Sequence, residues 1–272
     1  MPRPYFQTSG VACFAHRGGA ALHPENTMIA FRHGLEAGCR WIETDVHLTR
    51  DGHVVCFHDN DLERTTNGRG KVWEYTLAEL QRLDAGYHFS PEGGGGHPFR
   101  GQGITVPTLD EVLALDPEVR INIEIKQREP EMVGALWRYI DDRGLHDRLL
   151  VACEFDGPVR AFRNLARGRV ATSSGRVEIF GFWLAARAGV SDWLPIEFDA
   201  MQIPVDYRGL RVLDPNFLRA AHRRGVQVHV WTIDDADEMR RLVELGVDGI
   251  MTDQPGRLVE VVTEMGQRVP QG

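Results

Sequence analysis

The chain is short of cysteine, and the four it has, Cys13, Cys39, Cys56 and Cys153, form no CxxC pair. Cys13, Cys56 and Cys153 lie in apolar, strand-like runs, where a free thiol behaves as a small hydrophobe. A core role and a reducing, cytoplasmic setting follow as expectations. Positive charge is also scarce. With 31 Lys and Arg against 39 Asp and Glu, the formal net charge is −8, which argues against a nucleic-acid binder with a basic face. An anionic substrate must then be drawn in locally, by a metal or a few placed cations. No apolar run approaches a membrane span, and Met1-Pro2-Arg3-Pro4-Tyr5 has no apolar signal region. No internal repeat is visible. What is present is the composition of an ordinary globular protein, 42% hydrophobic and 26% charged in 272 residues. That is close to the roughly 250-residue length of one α/β barrel.

Short β-rich runs alternate with helical patterns. Strands are expected at Ala12–His16, Trp41–Leu48, Val54–His58, Ile121–Lys126, Leu149–Phe155, Arg169–Ser173, Asp199–Pro204, Val226–Thr232 and Gly249–Thr252. Most are near-continuous apolar runs, as in parallel strands covered on both faces. Thr76-Leu77-Ala78-Glu79 and Thr108-Leu109-Asp110-Glu111 read as capping boxes. Asp214-Pro215 reads as an N-cap with a first-turn proline, and Gly225 and Gly246 sit where helices should stop. This rhythm predicts an α/β fold, a (β/α)8 TIM barrel, as one domain over residues 1–272.

The ninth strand is explained by Asp51-Gly52, a two-residue hairpin signal that makes the His58 strand run back antiparallel. In that register Asp45 faces His58, and alternation puts Glu43 on the same face. Residues 60–103 break the βα rhythm. They are expected to form a small cap over the barrel mouth, inserted between the His58 strand and the next barrel helix. This segment carries the aromatics Tyr87, Phe89 and Phe99, and the glycine run Gly93–Gly96 as a flexible tip.

Chemistry concentrates in a few places. Glu43 and Asp45 share one strand face, and Glu124 and Lys126 share another among isoleucines; buried charge is costly unless paired or metal-bound. For either strand alone, a buried Glu124–Lys126 salt bridge and surface positions for Glu43 and Asp45 read as well as a metal site. Together they make an oxygen-rich site for Mg²⁺ or Ca²⁺, with zinc disfavoured because no cysteine joins it. His16, followed by Arg17 and Gly18, ends the first strand on the side where barrel active sites lie. With His58 it offers two imidazoles near neutrality, one to take a proton and one to give it. Arg17 and Lys126 suit phosphate oxygens. Trp231, at a late strand end, suits an apolar part of a substrate. His47 falls on the inner face toward the hairpin tip and is left out of the catalytic pair. His229 is expected in the core, and His23, His33, His53, His88, His97, His146 and His222 on loops or the surface.

The pattern His16-Arg17-Gly18, Pro24-Glu25-Asn26-Thr27, Glu43-x-Asp45, Thr49-x-Asp51-Gly52, His58-Asp59, Glu124-x-Lys126 and Val230-Trp231-Thr232 resembles the glycerophosphodiester phosphodiesterases. Gly246-Val247-Asp248-Gly249-Ile250-Met251-Thr252-Asp253-Gln254-Pro255 is similar to that family's last strand, so the likeness runs from about Ala12 to Pro255. It implies a TIM barrel with a family-type insertion after the His58 strand. It also implies metal-dependent hydrolysis of small glycerophosphodiesters to an alcohol and glycerol 3-phosphate. By this resemblance His16 and His58 are the acid/base pair, and Glu43, Asp45 and Glu124 hold the divalent ion. Arg17 and Lys126 contact phosphate, and Trp231 lies on the glycerol side.

Two positions depart from the family pattern, Asp234 and Glu154. Both add negative charge near an anionic substrate, and Glu154 is a possible additional metal ligand. The nucleophile is either water or the neighbouring glycerol hydroxyl. Two other readings stay open: a lysophospholipase D whose insertion aromatics line an acyl groove, and an inactive barrel that only binds. An amidohydrolase is disfavoured, since no His-x-His pair lies on a first strand. The sequence sets no oligomeric state.

Overall fold

The computed structural model describes residues 3–91, 94–128 and 130–267. Its strands are β1 (Ala12–His16), β2 (Trp41–Leu48), β3 (Val54–Cys56), β4 (Arg120–Ile125), β5 (Leu149–Ala152), β6 (Ala171–Thr172), β7 (Ala200–Ile203), β8 (Asp206–Tyr207), β9 (Leu210–Arg211), β10 (Gln227–Val230) and β11 (Gly249–Thr252). The helices are α1 (Met28–Glu36), α2 (Leu77–Leu80), α3 (Leu109–Leu113), α4 (Pro130–Arg143), α5 (Asp156–Ala166), α6 (Arg176–Arg187), α7 (Pro215–Arg223), α8 (Ala236–Leu245) and α9 (Pro255–Glu264). Eight strands run parallel in the order β6-β5-β4-β2-β1-β11-β10-β7, and a bridge from Ser173 to Ala200 closes the ring. This is the expected (β/α)8 barrel.

The period of two along each strand sorts its residues. Ala12 and Phe14 of β1, Trp41 of β2, Leu150 and Ala152 of β5, and Met251 of β11 pack together inside the barrel. Their neighbours Cys13, Ala15, Ile42, Ile121 and Ile123 face the helices instead. At the carboxyl ends of the strands the inward positions turn polar: His16, Glu43, Asp45, Asn122 and Glu124. The interior is therefore a dry plug below and a charged floor above. All four cysteines are buried and unpaired, as expected.

The helix ends follow their sequence signals. Thr76 and Thr108 each cap a helix reciprocally with Glu79 and Glu111. Asp214 caps α7 through Asn216 and Phe217, and Gly246 ends α8 at φ 90°.

The hairpin corrects the expected register. Its loop is Arg50-Asp51-Gly52, one residue longer than a two-residue turn, with Gly52 at φ 86° and the Thr49 N–H donating to the His53 carbonyl at 2.9 Å. The Thr49 hydroxyl locks this form by donating to Asp51 at 2.7 Å and accepting from the His53 N–H at 2.8 Å. A glycine in the left-handed last position of a three-residue loop is the next commonest hairpin solution. The pairs become Val46–Cys56, His47–Val55 and Leu48–Val54. Asp45 consequently meets Phe57, whose N–H donates to the Asp45 carbonyl at 2.9 Å, and His58 lies beyond the end of β3.

Within residues 60–103, Leu62, Val72, Leu80 and Ala85 form a small core with Val106 and with Val55 and Phe57 from the hairpin. Tyr87, Phe89 and Phe99 stand outside it. Phe89 packs edge-on against Phe99 with centroids 5.4 Å apart, Phe99 lies 5.6 Å from His23, and Arg100 covers Tyr87 at 4.1 Å. Gly93 of the glycine run lies outside the described residues.

Candidate active site

The site is assembled by backbone geometry before any side chain acts. After β1 the chain turns sharply through Arg17, Gly18 and Gly19, all with positive φ (50°, 88° and 112°). A Cβ on Gly18 would sit 2.6 Å from the main-chain carbon of Ala30, so only glycine lets the turn lie against α1. The turn aims the Arg17 N–H at Glu43 Oε2, 3.2 Å away. Barrel register does the rest. His16 pairs with Glu43, and Asp45 with Glu124, on adjacent strands. Glu43, Asp45 and Glu124 thereby bring ligand oxygens within 4.8 Å of one another. Glu43 and Asp45 are only 3% and 1% exposed, which removes the surface reading of these two residues.

Three carboxylates this close must be compensated. Lys126, one of two lysines in the chain, sits 3.1 Å from Asp45 and 3.0 Å from Glu124. Arg17 lies 3.4 Å from Asp45 and 2.9 Å from Glu25. The Asn26 amide donates to Asp45 at 2.9 Å, and the Thr44 hydroxyl donates to Asn26 at 2.7 Å. Burial acts to raise the Asp45 carboxyl, yet Lys126 and then Arg17 hold it well below the usual carboxylate range. Glu43 is compensated less, by His16 and Arg17. Burial first, and then the charge of Asp45, push it up to about 7.

Each candidate catalytic histidine leans on a carboxylate. His16 Nδ1 lies 2.7 Å from Asp253 Oδ1, and its Nε2 is 3.8 Å from Glu43. Burial works against protonation of His16, but the Asp253 hydrogen bond and the Glu43 charge raise it above its ordinary value. His58 Nδ1 lies 2.6 Å from Asp59 Oδ1. Asp59 in turn pairs with Arg64, which grips both oxygens of Glu25 at 2.7 Å, and Glu25 holds Arg17. A chain of alternating charge thus ties His58 to Arg17 through the insertion. His47, fully buried, stacks near Trp73 at 6.0 Å, with Nε2 3.4 Å from the His58 carbonyl. Burial drives it down to about 4, so it stays neutral.

His16, Arg17, Glu43, His58, Glu124 and Lys126 line one side of a cavity of about 440 Å³ at the barrel mouth, and Trp231, 43% exposed, stands at its rim. Glu154 also borders this cavity, but it is drawn into an ion pair with Arg176 at the start of α6 and takes no place among the three acids. Asp234 does not line the cavity; it accepts from the Thr252 hydroxyl and the Asp253 N–H, both at 2.8 Å, and so fixes the residue that holds His16. Tyr87 and Phe89 do not line this cavity either.

Asp253, Asp59, Glu25, Asn26 and Arg64 carry positioning work that the sequence reading assigned to none of them. Pro24-Glu25-Asn26-Thr27 and His58-Asp59 were visible as motifs, and their contacts supply the reason. His23, on a loop, and His33, on α1, are half-buried, with ring centroids 4.5 Å apart and planes tilted by 40°. His229 is in the core as expected.

The family model for the glycerophosphoryl diester phosphodiesterases matches residues 16–257. The chain belongs to that family. A glycerophosphodiester phosphodiesterase from Caldanaerobacter subterraneus subsp. tengcongensis is 34% identical over 259 residues, covering 93% of this chain and 98% of the relative. Among solved structures, the glycerophosphoryl diester phosphodiesterase domain of a Mycobacterium tuberculosis protein matches with a TM-score of 0.82 at 21% identity, covering 94% of this chain and 99% of that one. An Oleispira antarctica phosphodiesterase, solved with the product sn-glycerol-3-phosphate, matches with a TM-score of 0.72 at 25% identity, covering 92% and 96%. Glu43, Asp45 and Glu124 form an all-oxygen acidic group of the kind that could hold a metal ion. No helix among the described residues is long and apolar enough to cross a membrane.

Proposed function

We propose that this phosphodiesterase hydrolyses glycerophosphodiesters to an alcohol and glycerol 3-phosphate at the barrel mouth, with His16 and His58 as the acid/base pair. The observation that carries this reading is the convergence of two carboxylate-backed imidazoles on one cavity that Glu43 and Glu124 also line, with the buried Asp45 clustered against those two acids. Asp253 and Asp59 occupy the Nδ1 atoms and leave each Nε2 free for the substrate. One imidazole takes the proton of the nucleophile, and the other gives a proton to the leaving oxygen. Arg17 and Lys126 neutralise phosphate oxygens, where charge grows in the transition state. Trp231 packs against the glycerol carbons.

Glu43, Asp45 and Glu124 fit a divalent ion, Mg²⁺ or Ca²⁺, because they offer clustered, buried carboxylate oxygens. Such an ion, when bound, supplies Lewis-acid stabilisation of the phosphodiester. The buried thiols suit a reducing compartment, in keeping with a cytoplasmic enzyme.

The test is release of glycerol 3-phosphate across a panel of head groups, with and without chelator. His16→Ala and His58→Ala should each lower kcat by roughly 10²–10⁴ with folding intact. Near-normal turnover in either variant, or full activity in excess chelator, would sink the assignment.

A further inference from the structure

The floor of the mouth cavity carries a bond that the acid/base chemistry does not use. Gln202, on β7, reaches across the barrel to Asn122, on β4. Gln202 Nε2 donates to Asn122 Oδ1 at 2.8 Å, and the Asn122 amide returns a long bond of 3.5 Å. Both side chains line the cavity; Asn122 is 1% exposed and Gln202 half-buried. Register fixes where the pair lies. Asn122 is level with Glu43 on β2, and Gln202 is level with His229 on β10, two residues before Trp231. The pair thus spans the floor from the acidic cluster to the foot of Trp231. It borders the apolar plug, since Leu150 of that plug is in register with Asn122.

An apolar side chain at position 202 would extend the plug and leave no polar group to satisfy. A primary amide instead has two N–H donors and an oxygen with two lone pairs. Asn122 takes one donor closely and reaches the oxygen only at 3.5 Å, and among the described residues no other group bonds the Gln202 amide. One N–H and the oxygen are left for a ligand in the cavity. A hydroxyl matches them, because it donates and accepts at once. Phosphate oxygens only accept, and an ammonium only donates.

We propose that Gln202 is a specificity-determining residue, its amide binding the terminal hydroxyl of the substrate's glycerol while Asn122 holds the amide in place. The inference rests on the phosphodiesterase reading above and adds a residue to it. With the phosphate at Arg17 and Lys126, the hydroxyl next to it stays close to the acids of β2 and β4. The carbons run along Trp231, and the far hydroxyl arrives over β7. A substrate without that hydroxyl strands the amide unpaired.

The experiment measures kcat/KM for glycerophosphocholine and two analogues. One has the terminal CH2OH of its glycerol replaced by CH3; the other lacks the adjacent hydroxyl instead. The wild type should prefer glycerophosphocholine over the terminal-deoxy analogue by roughly 10- to 100-fold. In Gln202→Met, which keeps the side chain's length, that preference should fall to within about three-fold of unity. A ratio of two substrates on one protein cancels any general loss of competence. An Asn122→Leu/Gln202→Met variant, which removes both polar partners and strands neither, should show the same collapse. A wild type that cleaves glycerophosphocholine and its terminal-deoxy analogue equally well would overturn this proposal alone, as would a preference that persists in both variants. Collapse of the preference over the other analogue would give Gln202 to the adjacent hydroxyl and also overturn it. A wild type that cleaves none of the three would overturn the phosphodiesterase reading and this one with it.

Discussion

Glu43 carries the sharpest electrostatic conflict in the site. Held at about 7 by burial and by Asp45, it titrates well above the ~4.3 of an unfolded glutamate. The folded form therefore binds the extra proton, and stability falls as pH rises from about 4.3 through 7. Glu43→Gln should raise the unfolding free energy of the metal-free protein above neutrality by on the order of 1–3 kcal/mol, a gap that closes below about pH 4.3. The same variant should lose turnover and the stabilisation that Mg²⁺ or Ca²⁺ gives the wild type. Denaturant titrations with and without the ion check both; identical metal-free midpoints above neutrality would refute the conflict. The acids themselves were legible because carboxylates alternating with isoleucines are chemically conspicuous. Their supports were not. Asp253 lies 237 residues from His16, and Glu25 lies 39 from Arg64. Only the barrel order, which seats β11 beside β1, makes the first pair neighbours.

Two glycines with nearly the same backbone angle separate conformation from packing at the level of elements. Gly52, at φ 86°, has nothing within 4 Å of an added Cβ. Gly52→Ala should therefore cost only the left-handed backbone, roughly 1 kcal/mol. Gly18, at φ 88°, has the Ala30 main chain 2.6 Å from that position. Gly18→Ala should lose roughly a further 1–3 kcal/mol through overpacking against α1, and activity with it, since the turn places His16 and Arg17. Equal losses in the two variants, measured by urea denaturation, would contradict the packing argument. Asp51-Gly52 also marks where pattern reading stops. The dipeptide announces a hairpin, but a two-residue loop and a three-residue loop ending in left-handed glycine share it. The choice fell to the Thr49 hydroxyl, and one residue of slip moved Asp45 from His58 to Phe57.

The molecule as a whole should weaken in acid for a reason located at the base of the barrel. His229 packs 4.9 Å from Phe14, and burial drives it down to about 3. Its unfolded value is near ~6.5, so its contribution is intact above that pH and is lost as pH falls toward 3, at up to about 1.4 kcal/mol per pH unit. His229→Leu should flatten this acid slope in the urea midpoint, and an unchanged slope would exclude His229 as its source. The βα rhythm and the helix caps were readable because each is local. Apart from Trp231, the apolar lining of the mouth was not, because Phe180, Trp183, Tyr207 and Leu210 belong to separate segments and look unremarkable in each. The barrel's joints are also unequal: β2 and β4 register over six residue pairs, whereas β6 meets β7 at a single bridge. Amide deuterium should enter first at this loosely stitched seam. Because α6 and the β8–β9 hairpin stand on either side of it, that side of the mouth can breathe while the acidic side keeps its shape.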